Sequence, residues 1–211
     1  YNLGAPVFAS GYNSDTVSYQ VYITDAIVLG SYQSNTADKS YLLFTKRAGM
    51  LYAKARSVRE ERSKQRYALQ DFSHITISLV KGKGGWRVGS VDVFDNFFLQ
   101  ANTRAARGSV VKLAKVLRRY VRGEEPQPAL YEEFLSAARF LSQTEPVERS
   151  AYELCATVRL LSHLGYTAIS GSLAPLCARP FPDLAAEHIL EQEDELLSVY
   201  AAAQAVSHLE G

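Results

Sequence analysis

The chain is predicted to be an α+β protein, a small five-stranded β-barrel followed by an all-helical domain. Three observations predict it. Five short runs rich in β-branched and aromatic residues fall within about 75 residues, with Gly- and Asn-containing turns between them. From Asn96 onward the apolar spacing lengthens to a helical period, with capping residues where helices should begin and end. The formal net charge of +1 hides a segregation: residues 21–122 hold 19 Lys+Arg against 7 Asp+Glu, whereas residues 151–211 hold 2 against 8. Such an asymmetry separates a polyanion-binding part of a chain from a part with another task. With 47% hydrophobic and 21% charged residues the composition is globular, which excludes extended disorder.

Residues 1–18 are rich in Gly, Ser and Asn and lack the basic and apolar regions of a signal peptide, so they are read as a loosely held arm. The first strand is expected at 19–29 and the second at 40–45. Gly49, which tolerates positive φ, ends the turn to a third strand at 50–58. There Leu51, Ala53, Ala55 and Ser57 alternate with Tyr52, Lys54, Arg56 and Val58, which sets Lys54 and Arg56 on one face. A charged loop covers 59–66. A fourth strand at 72–80 is broken by Gly82 to Gly85, and a fifth follows at 86–94. Five short strands with turn signals between them make a small antiparallel barrel, of which the OB-fold is the commonest kind.

In the second part, Asn102 or Thr103 can cap a helix that Gly123 ends. Pro128 opens a second helix to about Gln143, and a third spans 147–164 with Gly165 as its stop. A loop with three prolines covers 171–182, and Asp183 caps a last helix to Leu209. The organisation is therefore an arm at 1–18, a barrel domain at 19–95 and a helical domain at 96–211. No apolar run approaches the ~18 residues needed to span a bilayer.

The cations of the first part suggest nucleic acid. Lys46, Arg47, Lys54, Arg56, Arg59, Arg62, Lys64 and Arg66 lie close together in sequence, and Lys81, Lys83 and Arg87 flank the fourth turn. Phosphate binding needs many cations on one surface, because counterion release scales with their number. Tyr52, Tyr67, Phe72 and Trp86 are interleaved and can stack bases; Trp86, which follows the flexible Gly-Lys-Gly-Gly turn, is the foremost of them. The alternative is that the aromatics are core and the charges an ordinary solvated face. The first long helix carries Arg104, Arg107, Lys112, Lys115, Arg118, Arg119 and Arg122 within roughly 140° of arc, a stripe roughly 27 Å long. Val110, Leu113, Ala114, Leu117, Tyr120 and Val121 lie opposite. No acidic residue interrupts the stripe, whereas a solvated face normally mixes signs. Either it binds a polyanion or acidic peptide, or it pairs with acidic helices of its own domain through residues such as Glu132 and Glu133.

Other clusters read as structure. Gly82-Lys83-Gly84-Gly85 lacks the spacing of a phosphate-binding loop and is a hairpin turn. Glu187, Glu191, Glu193, Asp194 and Glu195 form a solvated helix face. His74, His163, His188 and His208 have no ligand spacing and no nucleophile nearby. Cys155 and Cys177 are the only thiols, too few for a structural zinc site or a disulfide framework, and fit a reducing cytoplasmic compartment. No metal, cofactor or catalytic residue is expected. A nuclease is disfavoured because the basic half lacks a carboxylate cluster for Mg²⁺.

Several phrases, in this order and spacing, carry a resemblance. They are Thr24-Asp25-Ala26-Ile27-Val28-Leu29, then residues 43–51 (Leu-Phe-Thr-Lys-Arg-Ala-Gly-Met-Leu), then residues 53–59 (Ala-Lys-Ala-Arg-Ser-Val-Arg), Ser63-Lys64 and residues 68–75 (Ala-Leu-Gln-Asp-Phe-Ser-His-Ile). Together they resemble the N-terminal OB domain of the RecO family of bacterial recombination mediators. Residues 159–166 (Arg-Leu-Leu-Ser-His-Leu-Gly-Tyr) resemble a phrase of that family's helical domain. The resemblance implies a non-enzymatic, cytoplasmic, nucleoid-associated protein that binds single- and double-stranded DNA and promotes annealing. It implies work with RecR to load the recombinase RecA onto strands covered by single-stranded-DNA-binding protein (SSB). It also implies that the helical domain docks the acidic C-terminal tail of SSB, with Arg104, Lys112, Lys115, Arg118, Arg119 and Arg122 as candidates. One departure matters: many members carry a four-cysteine zinc motif after the Leu-Gly-Tyr phrase, where this chain has Cys177-Ala178-Arg179-Pro180.

Overall fold

The computed structural model describes residues 20–33, 39–55, 65–143 and 147–209. Five strands, β1 (Val21–Gln33), β2 (Lys39–Thr45), β3 (Gly49–Ala55), β4 (Ser73–Gly82) and β5 (Gly85–Asn96), close into a barrel in the order β1-β2-β3-β5-β4. All contacts are antiparallel except β3 with β5, which pair in parallel through Ala53–Trp86 and Lys54–Arg87. This is an OB-fold. β1 belongs to both walls: residues 21–27 pair with β4 and residues 26–33 with β2, with a register shift between Val28 and Gly30. That irregularity re-phases the strand and carries it past Leu29, where sequence alternation stops, to Gln33. The third strand's expected continuation to Val58 lies outside the described residues.

Alternation fills the barrel. Ala26, Val28, Tyr41, Leu43, Leu51, Ala53, Ile75, Ile77, Leu79 and Trp86 form its interior. One part of the outer surface is apolar as well: Ile27, Leu29 and Phe44 point outward and are buried against the helices. The barrel and the helices thus share one continuous core.

A short helix, α1 (Gln65–Ala68), precedes β4, and α2 (Phe97–Gln100) follows β5, with Asn96 capping the Leu99 amide. Then come α3 (Arg104–Tyr120), α4 (Pro128–Gln143) and α5 (Arg149–His163). The Thr103 hydroxyl accepts from the Ala106 amide at 3.1 Å, so of the two expected caps of α3, Asn102 and Thr103, the second is used. Beyond Gly165 the expected loop and single helix are replaced by α6 (Leu173–Ala178), a 3-10 turn (Phe181–Asp183), α7 (Ala186–Leu190) and α8 (Glu193–Leu209). The chain bends here because Leu173, Leu176, Phe181, Leu184, Ile189 and Leu196 all bury in the same core, which one straight helix could not achieve. Among the described residues no helix is long and apolar enough to cross a membrane.

Polar ties lock the barrel to the helices. The Met50 amide donates to the Gly123 carbonyl at 3.0 Å, Lys46 pairs with Glu132 at 2.6 Å, and Arg139 pairs with Asp95 at 3.2 Å. Gly49 sits at φ +63°, and a Cβ there would come within 2.7 Å of the Glu125 backbone nitrogen, so only glycine allows the hairpin this close to the α3–α4 connection.

Candidate nucleic-acid interface

The outer face of β3 is where the barrel offers charge. Leu51, Ala53 and Ala55 point inward, leaving Tyr52 and Lys54 exposed. Cross-strand register extends this face into two rows, Tyr32–Ser40–Lys54 and Gly30–Leu42–Tyr52, and sets Arg87 beside Lys54. Tyr32 and Tyr52, 52% and 56% exposed, meet edge to face with ring centroids 5.6 Å apart. Helix α3 passes over the same rows. Its Arg118 guanidinium lies above Gly30, with Nη1 3.7 Å from where a Cβ would sit. The space between sheet and helix is a groove of about 640 Å³, floored by Leu42, Met50 and Tyr52 and walled by Arg118, Val121, Arg122 and Glu124, whose carboxylate is engaged by Lys81. Arg122 donates to the Arg118 and Val121 carbonyls, so its charge also sits on the free acceptors at the helix end. Among the described residues no ion pair engages Lys54, Lys83, Arg87, Arg118 or Arg122.

Among the described residues the expected barrel cations do not all lie on one surface. Lys46 and Arg47 lie in the β2–β3 turn, at the opposite end of the hairpin from Lys54 and therefore roughly 20 Å away. Lys46 is engaged by Glu132, whose hydrogen bond and charge hold the amine above its ordinary value. Arg47 turns toward the Ile23 carbonyl at 3.5 Å. Lys81 pairs with Glu124 at 2.7 Å and fastens the β4–β5 hairpin to the α3–α4 connection. Arg66 and Lys83 are exposed. Arg56, Arg59, Arg62 and Lys64 lie outside the described residues.

The expectation for Trp86 is corrected. It is 6% exposed and closes the end of the barrel, edge-on to Tyr22 at 5.1 Å and under the Lys81 ammonium at 4.9 Å. The two-residue turn between Gly82 and Gly85 sets the phase of β5 so that Trp86 points inward and Arg87 outward. Phe72 is also withdrawn, stacked on Phe98 at 5.5 Å, whereas Tyr67 is 68% exposed. Tyr32 is the aromatic that sequence reading missed. The signal was Gly30 within a strand pattern, a mark of a bulge after which alternation resumes.

Packing divides the cationic stripe of α3. One edge, Arg107, Arg118 and Arg122, faces the barrel side; Arg107 donates to the Ala101 carbonyl at 3.1 Å and lies over Phe98. The other edge, Lys112, Lys115 and Arg119, rims a second groove of about 470 Å³ between α3, α5 and α8, lined by Val116, Tyr120, Leu154 and Tyr200. Arg104 is exposed in the first turn. Lys112 pairs with Glu153, which also accepts from the Ser109 hydroxyl at 2.6 Å. Glu132 and Glu133 do not serve the stripe; they pair with Lys46 and Arg159.

The donor set does not fit the zinc site of four-cysteine relatives. Cys155 is buried in α5 and Cys177 is half-buried in α6. Among the described residues no three His, Cys, Asp or Glu side chains gather around a possible ion.

Residues 20–97 match the family model described as Recombination protein O N terminal. Over 145 residues the chain is 26% identical to the DNA repair protein RecO of Acetivibrio thermocellus, covering 68% of this chain and 57% of that protein. Over 147 residues it is 27% identical to the DNA repair protein RecO of Myxococcus xanthus, covering 68% and 59%. Over 146 residues it is 25% identical to the protein of the same name from Desulfitobacterium hafniense, covering 69% and 52%. The chain thus spans little more than half the length of the curated relatives it matches.

Proposed function

We propose that this chain, whose residues 20–97 match the RecO N-terminal model, is a recombination mediator in DNA repair, binding single- and double-stranded DNA and promoting strand annealing. The observation that carries this reading is the cationic groove joining the β3–β5 face to the C-terminal end of α3. Arg118 and Arg122 line the groove and Lys54 and Arg87 stand exposed on the adjoining β3–β5 face, a set of cations that a phosphate backbone can follow. Annealing calls for charge neutralisation and base presentation, not bond chemistry, so no residue is assigned a catalytic role. RecR and, indirectly, RecA are the partners this role implies, and the cytoplasmic nucleoid is its place.

The groove between α3, α5 and α8 supports a second element of the role. Lys112, Lys115 and Arg119 stand beside Val116, Leu154 and Tyr200, the combination of charge and apolar pocket that an acidic tail ending in an aromatic residue needs. It is assigned to the SSB tail. The same observation favours a competing reading, an adaptor that binds the acidic tail without touching DNA.

Salt dependence of DNA binding separates the two. On the mediator reading the affinity for labelled DNA falls steeply with salt, and replacing Lys54, Arg87, Arg118 and Arg122 by Ala flattens the slope by roughly one unit per lost phosphate contact. Binding of the acidic tail peptide with no DNA binding at low salt would leave the adaptor.

A further inference from the structure

Two exposed tyrosines on the outer face of an OB barrel need an explanation that the phosphate contacts do not supply. Tyr52 is held at a defined angle. Its partner ring, Tyr32, meets it edge to face, and the two residues stand diagonally over Ser40, which they leave only 2% exposed. Both rings nevertheless stay more than half exposed, so aromatic surface is open to solvent. That open surface lies between Lys54 on one side and Arg118 and Arg122 on the other. Gly30 contributes by omission, since its missing side chain lets the Arg118 guanidinium come down to the level of the sheet on the far side of Leu42 from Tyr52.

We infer that Tyr52, braced by Tyr32, is the base-stacking platform that makes this groove selective for single-stranded over double-stranded DNA. The inference rests on the DNA-binding reading above and adds to it the strand preference and the residues that set it. The physical reason is one of access. Every base has a π-face, and a single strand can turn those faces outward, whereas in a duplex they are covered by neighbouring base pairs and only edges and phosphates are offered. The groove of about 640 Å³ gives a nucleotide unit of a single strand room to lie against Tyr52. Lys54, Arg118 and Arg122 neutralise phosphates in either form. Tyr52 therefore contributes to single-strand binding alone.

The test is titration of the full chain with a labelled oligothymidine of about 16 nucleotides and with a labelled duplex, at one fixed salt concentration. The proteins compared are the wild type, Tyr52→Ala, Tyr52→Phe, Tyr32→Ala and Arg118→Ala. Tyr52→Ala should weaken oligothymidine binding roughly 5- to 100-fold and leave duplex binding within twofold. Tyr52→Phe should keep the wild-type ratio, since it keeps the ring. Tyr32→Ala should fall between them, and Arg118→Ala should weaken both ligands together. Equal losses for the two ligands on Tyr52→Ala, or no loss for either, overturn the stacking assignment while the DNA-binding role stands. A wild-type chain that binds neither ligand overturns both.

Discussion

The two grooves that flank α3 are both positive, and they differ in what lies opposite the charge. On the barrel side the cations face a sheet with an exposed tyrosine pair, along a surface open to an extended chain. On the helix side Lys112, Lys115 and Arg119 face Leu154 of α5 and Tyr200 of α8, and Lys112 is already engaged by Glu153. One is suited to a long polyanion and the other to a short acidic segment with an apolar end. A single helix borders both because packing places the sheet at one edge of its roughly 140° cationic arc and two helices at the other. What a charged stripe binds is thus decided by the neighbours at its two edges.

The largest effect expected is on the scaffold of the helix-side groove. Arg159, on α5, is buried; it pairs with Glu133 of α4 at 2.7 Å, donates to the Arg179 carbonyl at 2.7 Å and stacks on Phe181. Arg159→Ala leaves Glu133 buried without its partner and should cost about 3–5 kcal/mol, read as a fall in urea midpoint. Tail-peptide binding should weaken before DNA binding does; the reverse order would mean that α5 supports the barrel-side groove instead.

A somewhat smaller loss is expected from Gly49→Ala, of about 1–3 kcal/mol for strain at a positive φ, with the clash against Glu125 added to it. This change pushes the hairpin away from the segment that walls the barrel-side groove, so here DNA binding should suffer and peptide binding should not. Thermal unfolding and the two binding assays, run together, check it.

A direct exchange between the grooves comes next. Lys115→Ala with Arg119→Ala should weaken an SSB-tail peptide about tenfold and DNA little, while Arg118→Ala with Arg122→Ala should do the opposite. Competition titrations on the two double variants suffice. If both pairs affect DNA equally, the stripe is a single site and the distinction between grooves collapses.

The smallest effect concerns the core that the grooves share. His74 is 7% exposed, ringed by Phe94, Phe97 and Tyr131, and neither ring nitrogen has a hydrogen-bond partner among the described residues. Burial holds its pKa below the ordinary value near 6.5, outweighing the opposing pull of Asp25, Asp95 and Glu132. The folded state therefore binds fewer protons than the unfolded one. Stability from this residue is complete above about pH 6.5 and is lost as pH falls below it, by at most about 1.4 kcal/mol per pH unit. His74→Phe should flatten that decline in melts between pH 7.5 and 5.5; an unchanged decline would place the proton elsewhere.

Much of this architecture was legible in the residues. The alternation of residues 51–55 placed Tyr52 and Lys54 on the outer face, and Thr103 and the cation spacing marked α3, because strand and helix periods are local properties. Two things were not legible. Strand phase depends on turns and bulges, and one residue of slip exchanges the faces; this is why Trp86 was expected outside and Tyr32 was not seen at all. Which groups lie opposite each cation depends on how the barrel and helices dock, so the ion pairs by which Lys46 and Lys81 tie the barrel to the helical part were not visible. The bend after Gly165 was hidden for a related reason: a proline-rich stretch reads as a loop until Leu173, Leu176 and Phe181 find a common core.

The contact of Arg118 with Gly30 has an evolutionary corollary. A methyl group at position 30 would just touch the guanidinium, and any longer side chain would occupy its place. Among descendants of this chain, then, the two positions are not free to drift independently. A lineage that acquires a bulky residue at 30 gives up the arginine's seat over the sheet, and a lineage that shortens residue 118 releases the constraint on 30. Paired changes at positions that are 88 residues apart in sequence would record, in the family's history, when the helix began or ceased to share its charge with the barrel.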